Sequence, residues 1–295
     1  MIKEIEGLAE LLVSYSICFV VFAALGSFFN VVIYRLPLMM ESAWQRECEL
    51  LLGSQSSTPP PEEKANFNIA IPNSHCPHCK APIKAWQNIP IVSYLLLKGR
   101  CASCQTGISL RYPAVELTTA LLGVSCLALF GLGAYGLAAA ALCWTLLILT
   151  AIDIDHQLLP DQLTLPLLWA GLLLSATGIS PVPLYDAVIG AAAGYLSLWS
   201  VYWLFKLVTG KEGMGYGDFK LLAALGAWLG WQQLPVIIIF SSLVGAVLGS
   251  LYIAMNKSSR GMAIPFGPYL AGAGLITLFW GEVIVDNYLQ FAGLR

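Results

Sequence analysis

The chain has 295 residues, of which 58% are hydrophobic and only 11% are charged, and its mean hydropathy is +0.74. Soluble domains carry about a quarter charged residues, so this composition excludes that class and indicates a membrane protein that crosses the bilayer several times. The net charge is −2 and no basic stripe is visible, which excludes a nucleic-acid partner.

Uncharged runs of residues mark the predicted membrane spans. Two of these runs, 117–152 and 221–256, are 36 residues long, whereas a spanning helix needs only about 20. Each long run must therefore fold back once, near Gly131-Leu132-Gly133 and between Gly230 and Pro235. The other runs cover residues 11–34, 163–185, 187–205 and 261–281. The sequence thus predicts an all-α polytopic membrane protein with about eight transmembrane helices.

The first run, residues 11–34, predicts a helix that remains as a membrane anchor. It is long enough to span, and no basic region of the kind that opens a signal peptide precedes it. Asn30 and Arg35 lie at its end. An amide in lipid needs a partner, so Asn30 is interpreted as a hydrogen-bonding residue between helices and Arg35 as an interface anchor, although a functional role for each stays open.

Residues 35–112 form the only polar segment, and they hold eight of the fifteen lysines and arginines. Basic residues accumulate on the cytoplasmic side of membranes, so this segment is predicted to be cytoplasmic. Its early part, residues 53–63, has the composition of a flexible linker. Three parts are therefore expected: a first transmembrane helix (1–34), a cytoplasmic zinc-binding domain (35–112) and a seven-helix membrane domain (113–295).

The zinc prediction rests on two Cys-x-x-Cys pairs in the cytoplasmic segment. Such pairs supply four thiolates for a tetrahedral zinc site, and the metal provides folding energy to a small domain. A pair of disulfides is the alternative, but a cytoplasmic location keeps thiols reduced. His75 and His78 are possible substitute ligands. The predicted ligands are Cys76, Cys79, Cys101 and Cys104.

Four acidic residues stand near the ends of predicted spans. Glu116 lies near the start of the second span. It is interpreted either as a partner of the helix dipole or as a binding group, and the sequence does not decide between the two. Asp153 directly follows a long apolar run, which makes it the deepest acid and the costliest to ionise. Asp155 is closer to water, and Asp161 follows a proline before the next helix, where N-capping explains it. Asp153 is therefore the candidate for chemistry.

A second candidate acid, Asp218, ends the glycine-rich stretch 213–218 before another apolar helix. A loop between membrane helices explains the glycines equally well, but glycine also permits close approach of another backbone. Strict alternation of the spans puts Asp153 and Asp218 on the cytoplasmic side. Two carboxylates a few ångströms apart share one proton, so one can act as base and the other as acid on a peptide bond.

The motifs along the chain resemble those of a known family. Gly215-Tyr216-Gly217-Asp218 matches the GxGD signature of intramembrane aspartic proteases. The wider pattern resembles the type IV prepilin leader peptidases that are also N-methyltransferases. The motifs, in chain order, are GSFFNVVIYRLP, the two CxxC pairs, IDIDHQLLPD, GKEGMGYGDFK and IPFGPYL.

This resemblance implies a bacterial inner-membrane enzyme that cleaves the leader of prepilins or pseudopilins after a glycine. It implies that Asp153 and Asp218 are catalytic, that zinc sits on the four cysteines, and that S-adenosylmethionine donates a methyl group to the new N-terminal residue, often Phe. No glycine-rich nucleotide motif locates the methyl-donor site. Two alternatives stay open: a peptidase without methyltransferase activity, and an ion- or proton-translocating protein that uses the buried aspartates.

Overall fold

The computed structural model describes residues 2–52, 67–255, 265–291 and 293, and the predicted linker at residues 53–63 lies outside these ranges. The described residues contain helices and no β-strand, so the predicted all-α class is confirmed. Two short 3₁₀ turns, Ala85–Asn88 and Trp231–Gln233, accompany the α-helices. These are α1 (Ile2–Leu51), α2 (Val92–Leu96), α3 (Arg111–Phe130), α4 (Ala134–His156), α5 (Asp161–Ala176), α6 (Leu184–Thr209), α7 (Tyr216–Leu229), α8 (Leu234–Met255) and α9 (Gly267–Phe291).

Six of the described helices are long and apolar enough to cross a membrane, namely α1, α3, α4, α6, α8 and α9. The other two helices in the apolar runs are shorter, namely α5, with 16 residues, and α7, with 14 residues. At 1.5 Å per residue these two helices are roughly 24 and 21 Å long, shorter than the hydrocarbon core of a bilayer. Within the described residues the six apolar runs thus contain eight helices, and six of these helices have the length of a span.

The predicted reversals inside the two long runs are confirmed. Helix α3 ends at Phe130 and Gly131 follows with φ +86°, while α7 ends at Leu229 and Gly230 follows with φ +82°. A residue with a side chain rarely adopts this left-handed conformation, so glycine permits both reversals.

The reversal between α5 and α6 lies earlier than the apolar pattern predicts. The uncharged runs break at Asp186, but α5 already ends at Ala176 and α6 begins at Leu184. The intervening segment contains Gly178 and two prolines, which stop a helix more effectively than one carboxylate does. Asp186 instead lies in the first turn of α6 and accepts a hydrogen bond from Trp231 Nε1 at 3.0 Å.

The chain divides into two compact units, one up to Trp144 and the other from Thr145. In the first unit, α1 packs along α3, and its core includes Phe22 and Leu127. Gly123 makes this approach possible, because a methyl group there would lie 2.5 Å from Phe22 Cδ2. The Trp144 indole N–H donates to the Thr119 carbonyl at 2.9 Å, which satisfies a polar group within this apolar packing.

In the second unit, α7 is the central helix and packs against α5, α6 and α9. Almost every residue of α7 from Asp218 onwards is buried, consistent with a helix that is apolar on all sides. Gly190 and Gly194 of α6 face Gly226 and Leu222 of α7, and a methyl group on Gly194 would lie 2.6 Å from the Leu222 carbonyl oxygen. The small residues bring two backbones together and so fix the position of α7.

Candidate active site and metal centre

Asp153 lies in the last turn of α4, and its side chain is buried, with only 5% of the residue exposed. Its carboxylate oxygen Oδ2 accepts a hydrogen bond of 3.0 Å from the backbone N–H of Gly267. Gly267 is the first residue of α9, and the first N–H groups of a helix have no partner within the helix. The N-terminus of α9 thereby fixes the orientation of the Asp153 carboxylate.

Asp218 is the third residue of α7 and is also buried, with 6% of the residue exposed. Its Oδ2 atom accepts a hydrogen bond of 3.2 Å from the backbone N–H of Gly215, the residue that precedes the helix. This is one half of a capping box, in which an acid at the third helical position binds back to the cap. The loop that precedes α7 therefore orients the second carboxylate.

The two aspartates belong to the same unit, and they lie close enough for their negative charges to repel each other. Both of these hydrogen bonds reach Oδ2, and within the described residues no protein group donates to Oδ1 of either carboxylate. A backbone N–H thus orients one oxygen of each carboxylate. The structure brings together the two acids that the sequence singles out.

Leu159 packs between the elements that hold the two aspartates. A methyl group on Gly217 would lie 2.7 Å from Leu159 Cβ, and a methyl group on Gly267 would lie 3.1 Å from Leu159 Cδ2. The side chain therefore contacts the start of α7 and the start of α9 at once. Sequence reasoning missed both Leu159 and Gly267, although they belong to the motifs IDIDHQLLPD and IPFGPYL.

The three glycines before Asp218 do not have equal roles. Gly213 and Gly217 are in close contact with side chains of the chain itself, Phe205 at 2.9 Å and Leu159 at 2.7 Å from an added methyl group. Gly215 has ordinary space around it, with Asp218 Oδ2 as the nearest atom at 3.7 Å. Close approach is therefore required at two of the three positions.

An ion pair holds the glycine-rich loop against α6. Lys206 Nζ donates to Glu212 Oε1 at 2.9 Å and to the Tyr202 hydroxyl at 3.2 Å. The hydrogen bond and the charge of Lys206 lower the pKa of the Glu212 carboxyl. Glu212 is mostly exposed, so this pair aligns the loop and contributes little to overall stability.

The other two acids of the IDIDHQLLPD motif lie outside this site. Asp155 is exposed, in agreement with its position closer to water. The N-cap interpretation of Asp161 is wrong: Pro160 occupies the cap, and Asp161 is the first helical residue. The Asp161 carboxylate instead accepts two hydrogen bonds of 2.7 Å from Lys220 Nζ, which ties the start of α5 to α7. This ion pair was not predictable from the sequence, because the two residues are 59 positions apart in the chain.

The four predicted zinc ligands form a cluster in the first unit. Their sulfur atoms all lie within 4.8 Å of one another, and the two histidines are not members of the cluster. Zinc bound by thiolates at about 2.3 Å places neighbouring sulfurs about 3.8 Å apart. The Sγ atoms of Cys76 and Cys104 are 3.8 Å apart, so the arrangement fits a zinc ion.

The two Cys-x-x-Cys pairs have the same local backbone structure. Lys80 N–H donates to the Cys76 carbonyl at 2.9 Å, and Gln105 N–H donates to the Cys101 carbonyl at 3.0 Å. Lys80 and Gln105 both have positive φ, 58° and 59°. Each pair thus forms a tight turn that directs both thiols to one side.

Hydrogen bonds favour the thiolate form that a metal requires at Cys76 and Cys104, whereas burial and hydrogen bonds to the neighbouring thiols raise the pKa of Cys79 to about 11. The backbone N–H groups of Cys79 and His78 lower the pKa of Cys76. The Thr106 hydroxyl, 3.3 Å from Cys104 Sγ, and the Thr106 backbone lower the pKa of Cys104 to about 6. The described part of the chain thus contains a preformed four-thiol site for a metal.

Comparison with known proteins identifies the family of this chain. Residues 140–250 match the type IV leader peptidase family, and residues 20–130 match the bacterial N-terminal domain of peptidase A24. The chain belongs to the type IV leader peptidase family. The first of these matches contains both aspartates, and the second contains all four cysteines. No solved structure matches the chain.

Relatives in the type IV leader peptidase family match nearly the whole chain. A protein of Aeromonas salmonicida is 57% identical over 276 residues, which is 94% of both chains. Proteins of Stutzerimonas stutzeri and Pseudomonas aeruginosa are each 53% identical, over 98% and 99% of this chain and 99% of their own. All three are named prepilin leader peptidase/N-methyltransferase.

Three residues whose roles the sequence leaves open have structural partners in this family member. Asn30 Nδ2 donates to the Tyr112 carbonyl at 3.1 Å, so its interpretation as a link between helices is confirmed. Glu116 Oε2 accepts the backbone N–H of Ile91 at 2.7 Å. Arg35 is buried and donates to three carbonyls instead of remaining a simple interface anchor. These carbonyls belong to Asn68, Ile69 and Pro72.

Proposed function

We propose that the chain cleaves the leader peptide of type IV prepilins or pseudopilins and then methylates the new N-terminal residue with S-adenosylmethionine. The names of relatives that share more than half of its residues support this function. The observation that carries it is the paired arrangement of Asp153 and Asp218. Both acids are buried, and a backbone N–H donates to Oδ2 of each.

The proposed cleavage uses the two aspartates as base and acid. The ionised carboxylate takes a proton from a water molecule as the water oxygen attacks the scissile carbonyl carbon. The protonated carboxylate donates a hydrogen bond to the carbonyl oxygen, on which negative charge develops. When the C–N bond breaks, the leaving nitrogen receives a proton from the pair. The sequence of steps requires no nucleophilic serine or cysteine.

The backbone hydrogen bonds give the dyad its geometry. Gly267 N–H and Gly215 N–H each fix one Oδ2 atom, so the two Oδ1 atoms are the ones that contact water and substrate. Catalytic groups that are already oriented require no reorganisation during the reaction. In this proposal Gly267, Gly215 and Leu159 are positioning residues.

Methyl transfer follows cleavage, since the acceptor nitrogen is an amide until the peptide bond breaks. The free amine loses a proton and its lone pair attacks the methyl carbon of S-adenosylmethionine, whose sulfur leaves as a thioether. Residues 35–112 form the zinc-binding and methyltransferase domain in this proposal, and residues 113–295 form the peptidase domain. Zinc on the four cysteines stabilises the fold of the first of these domains.

The proposed location is a bacterial inner membrane, with eight membrane-embedded helices. The shorter α5 and α7 join the six helices of spanning length, and the nearly complete burial of α7 supports its place inside a bundle. The excess of lysine and arginine in residues 35–112 supports a cytoplasmic position for that domain. Alternation of the spans then puts both aspartates on the cytoplasmic side.

The test is incubation of membranes containing the full-length protein with a prepilin and S-adenosylmethionine, followed by mass measurement of the product. Loss of the leader together with the gain of one methyl group supports both activities. Loss of the leader without methylation means that the protein is a peptidase alone. An unchanged prepilin contradicts the proposal and favours an ion- or proton-translocating role for the buried aspartates.

A further inference from the structure

An apolar surface lies outside the predicted spans, in the segment between α1 and α3. It belongs to residues 85–96, which contain the 3₁₀ turn Ala85–Asn88 and helix α2. Five large apolar side chains within these residues are between 47% and 69% exposed. They are Trp86, Ile89, Val92, Leu95 and Leu96. A small metal-binding module in water would not leave so many large apolar groups uncovered.

The exposed charged side chains of residues 67–115, which include this surface, are all basic, while the acidic Glu116 that follows them is buried. Residues 67–115 contain five lysines and arginines and no aspartate or glutamate, and all five basic residues are exposed. Within the described ranges, no carboxylate forms a salt bridge with the two lysines that flank the surface, Lys84 and Lys98. The other basic residues are Lys80, Arg100 and Arg111. Such a combination of apolar and cationic groups matches a bilayer surface that carries anionic lipid.

Hydrogen bonds hold the surface beside a membrane helix. The backbone N–H of Ile91, in the middle of residues 85–96, donates to Glu116 Oε2 at 2.7 Å, and the Ser27 hydroxyl lies 3.4 Å from Asn88 Oδ1. Glu116 is five residues from the start of α3, about 8 Å along the helix axis. Ser27 lies in α1, the other helix of spanning length that flanks this segment. Residues 85–96 therefore lie beside both helices, close to the end of the predicted span 11–34 and the start of the predicted span 117–152.

We propose that residues 85–96 form an interfacial element that rests on a bilayer containing anionic phospholipid. The apolar side chains enter the boundary between headgroups and acyl chains, with Trp86 at the depth that tryptophan prefers. Lys84 and Lys98 contact the anionic headgroups. The positive-inside tendency accounts for the basic residues alone, whereas a lipid surface accounts for the exposed apolar residues as well. The segment that carries the four cysteines is then held to the membrane along its length and not only where it joins α1 and α3.

The test places a photo-cross-linking amino acid at Leu95 in the full-length, zinc-loaded protein in lipid nanodiscs. The matched control places the same group at Ala102, an exposed position in the second Cys-x-x-Cys turn. Irradiation followed by mass spectrometry identifies what each position contacts. No prepilin and no enzymatic activity are needed, so the result is independent of the proposed function.

We expect phospholipid adducts at Leu95 to exceed those at Ala102 at least about threefold and to increase with the anionic fraction of the bilayer. In a Lys84→Gln, Lys98→Gln variant the preference for anionic lipid should disappear while contact with lipid remains. Equal adducts at the two positions would overturn the proposal. Cross-linking of Leu95 to another protein, with or without added prepilin, would also overturn it and identify a protein interface.

Discussion

The backbone N–H of Gly267 donates a hydrogen bond of 3.0 Å to Oδ2 of Asp153, 114 residues earlier in the chain. The close approach of the carboxylate to the backbone explains why the residue that begins α9 is glycine. A methyl group at this position would lie 2.7 Å from the same carboxylate oxygen, well inside van der Waals contact. The IPFGPYL motif is thus part of the site, although it contributes no reactive side chain.

We therefore expect Gly267→Ala to reduce leader cleavage about 100-fold, because it displaces the Asp153 carboxylate from its oriented position. The measurement is the rate of prepilin cleavage in membranes with matched amounts of protein. Gly272→Ala is the control, since Gly272 lies in the same helix and an added methyl group there meets nothing within 4 Å. Equal rates for the two variants would contradict the positioning role of Gly267.

The glycines before Asp218 provide a second comparison. Gly217→Ala introduces a methyl group 2.7 Å from Leu159 Cβ, so the start of α7 must shift and carry Asp218 with it. Gly215→Ala has room, and its backbone, at φ −83° and ψ 153°, suits any residue. We expect the first variant to lose cleavage about 100-fold. The second should stay within about threefold of the parent. The reverse order would show that Leu159 does not constrain the site.

Much of the fold and the identities of the four thiols and two acids were predictable from the sequence. Apolar runs and glycine turns are local signals, and Cys-x-x-Cys spacing is a local signal of a metal site. The hydrogen bond from Gly267 and the ion pair between Asp161 and Lys220 were not predictable. A backbone N–H has no sequence signature, and a pairing between distant residues is decided by tertiary packing.

The zinc site predicts the result of metal analysis. Protein purified under reducing conditions should contain one zinc per chain, and Cys79→Ser or Cys104→Ser should release it, because three thiolates no longer close the site. Proteolysis of residues 67–110 should then become faster. Cys48→Ser is the control, since Cys48 is exposed and outside the cluster. Full zinc content in the Cys104→Ser protein would exclude the proposed ligand set.

The order of the two reactions yields a fourth prediction. An Asp153→Asn enzyme should not methylate intact prepilin, but it should methylate a pilin whose leader has already been removed. The reason is that only the cut chain offers a free amine. Transfer of labelled methyl from S-adenosylmethionine is measured for both substrates, with the parent enzyme as control. Absence of label on the pre-cut pilin would mean that methylation depends on the dyad.

The most direct test of the central claim is the mass of the prepilin product formed by four proteins under identical conditions. These are the parent enzyme and its Asp153→Asn, Asp218→Asn and Asp155→Asn variants. The parent and the Asp155→Asn variant should remove the leader, because Asp155 is exposed and outside the dyad. Asp153→Asn and Asp218→Asn should leave the prepilin intact while their melting temperatures stay near that of the parent. If either of these two variants cleaved the prepilin at a rate within about tenfold of the parent rate, the result would contradict a two-aspartate mechanism.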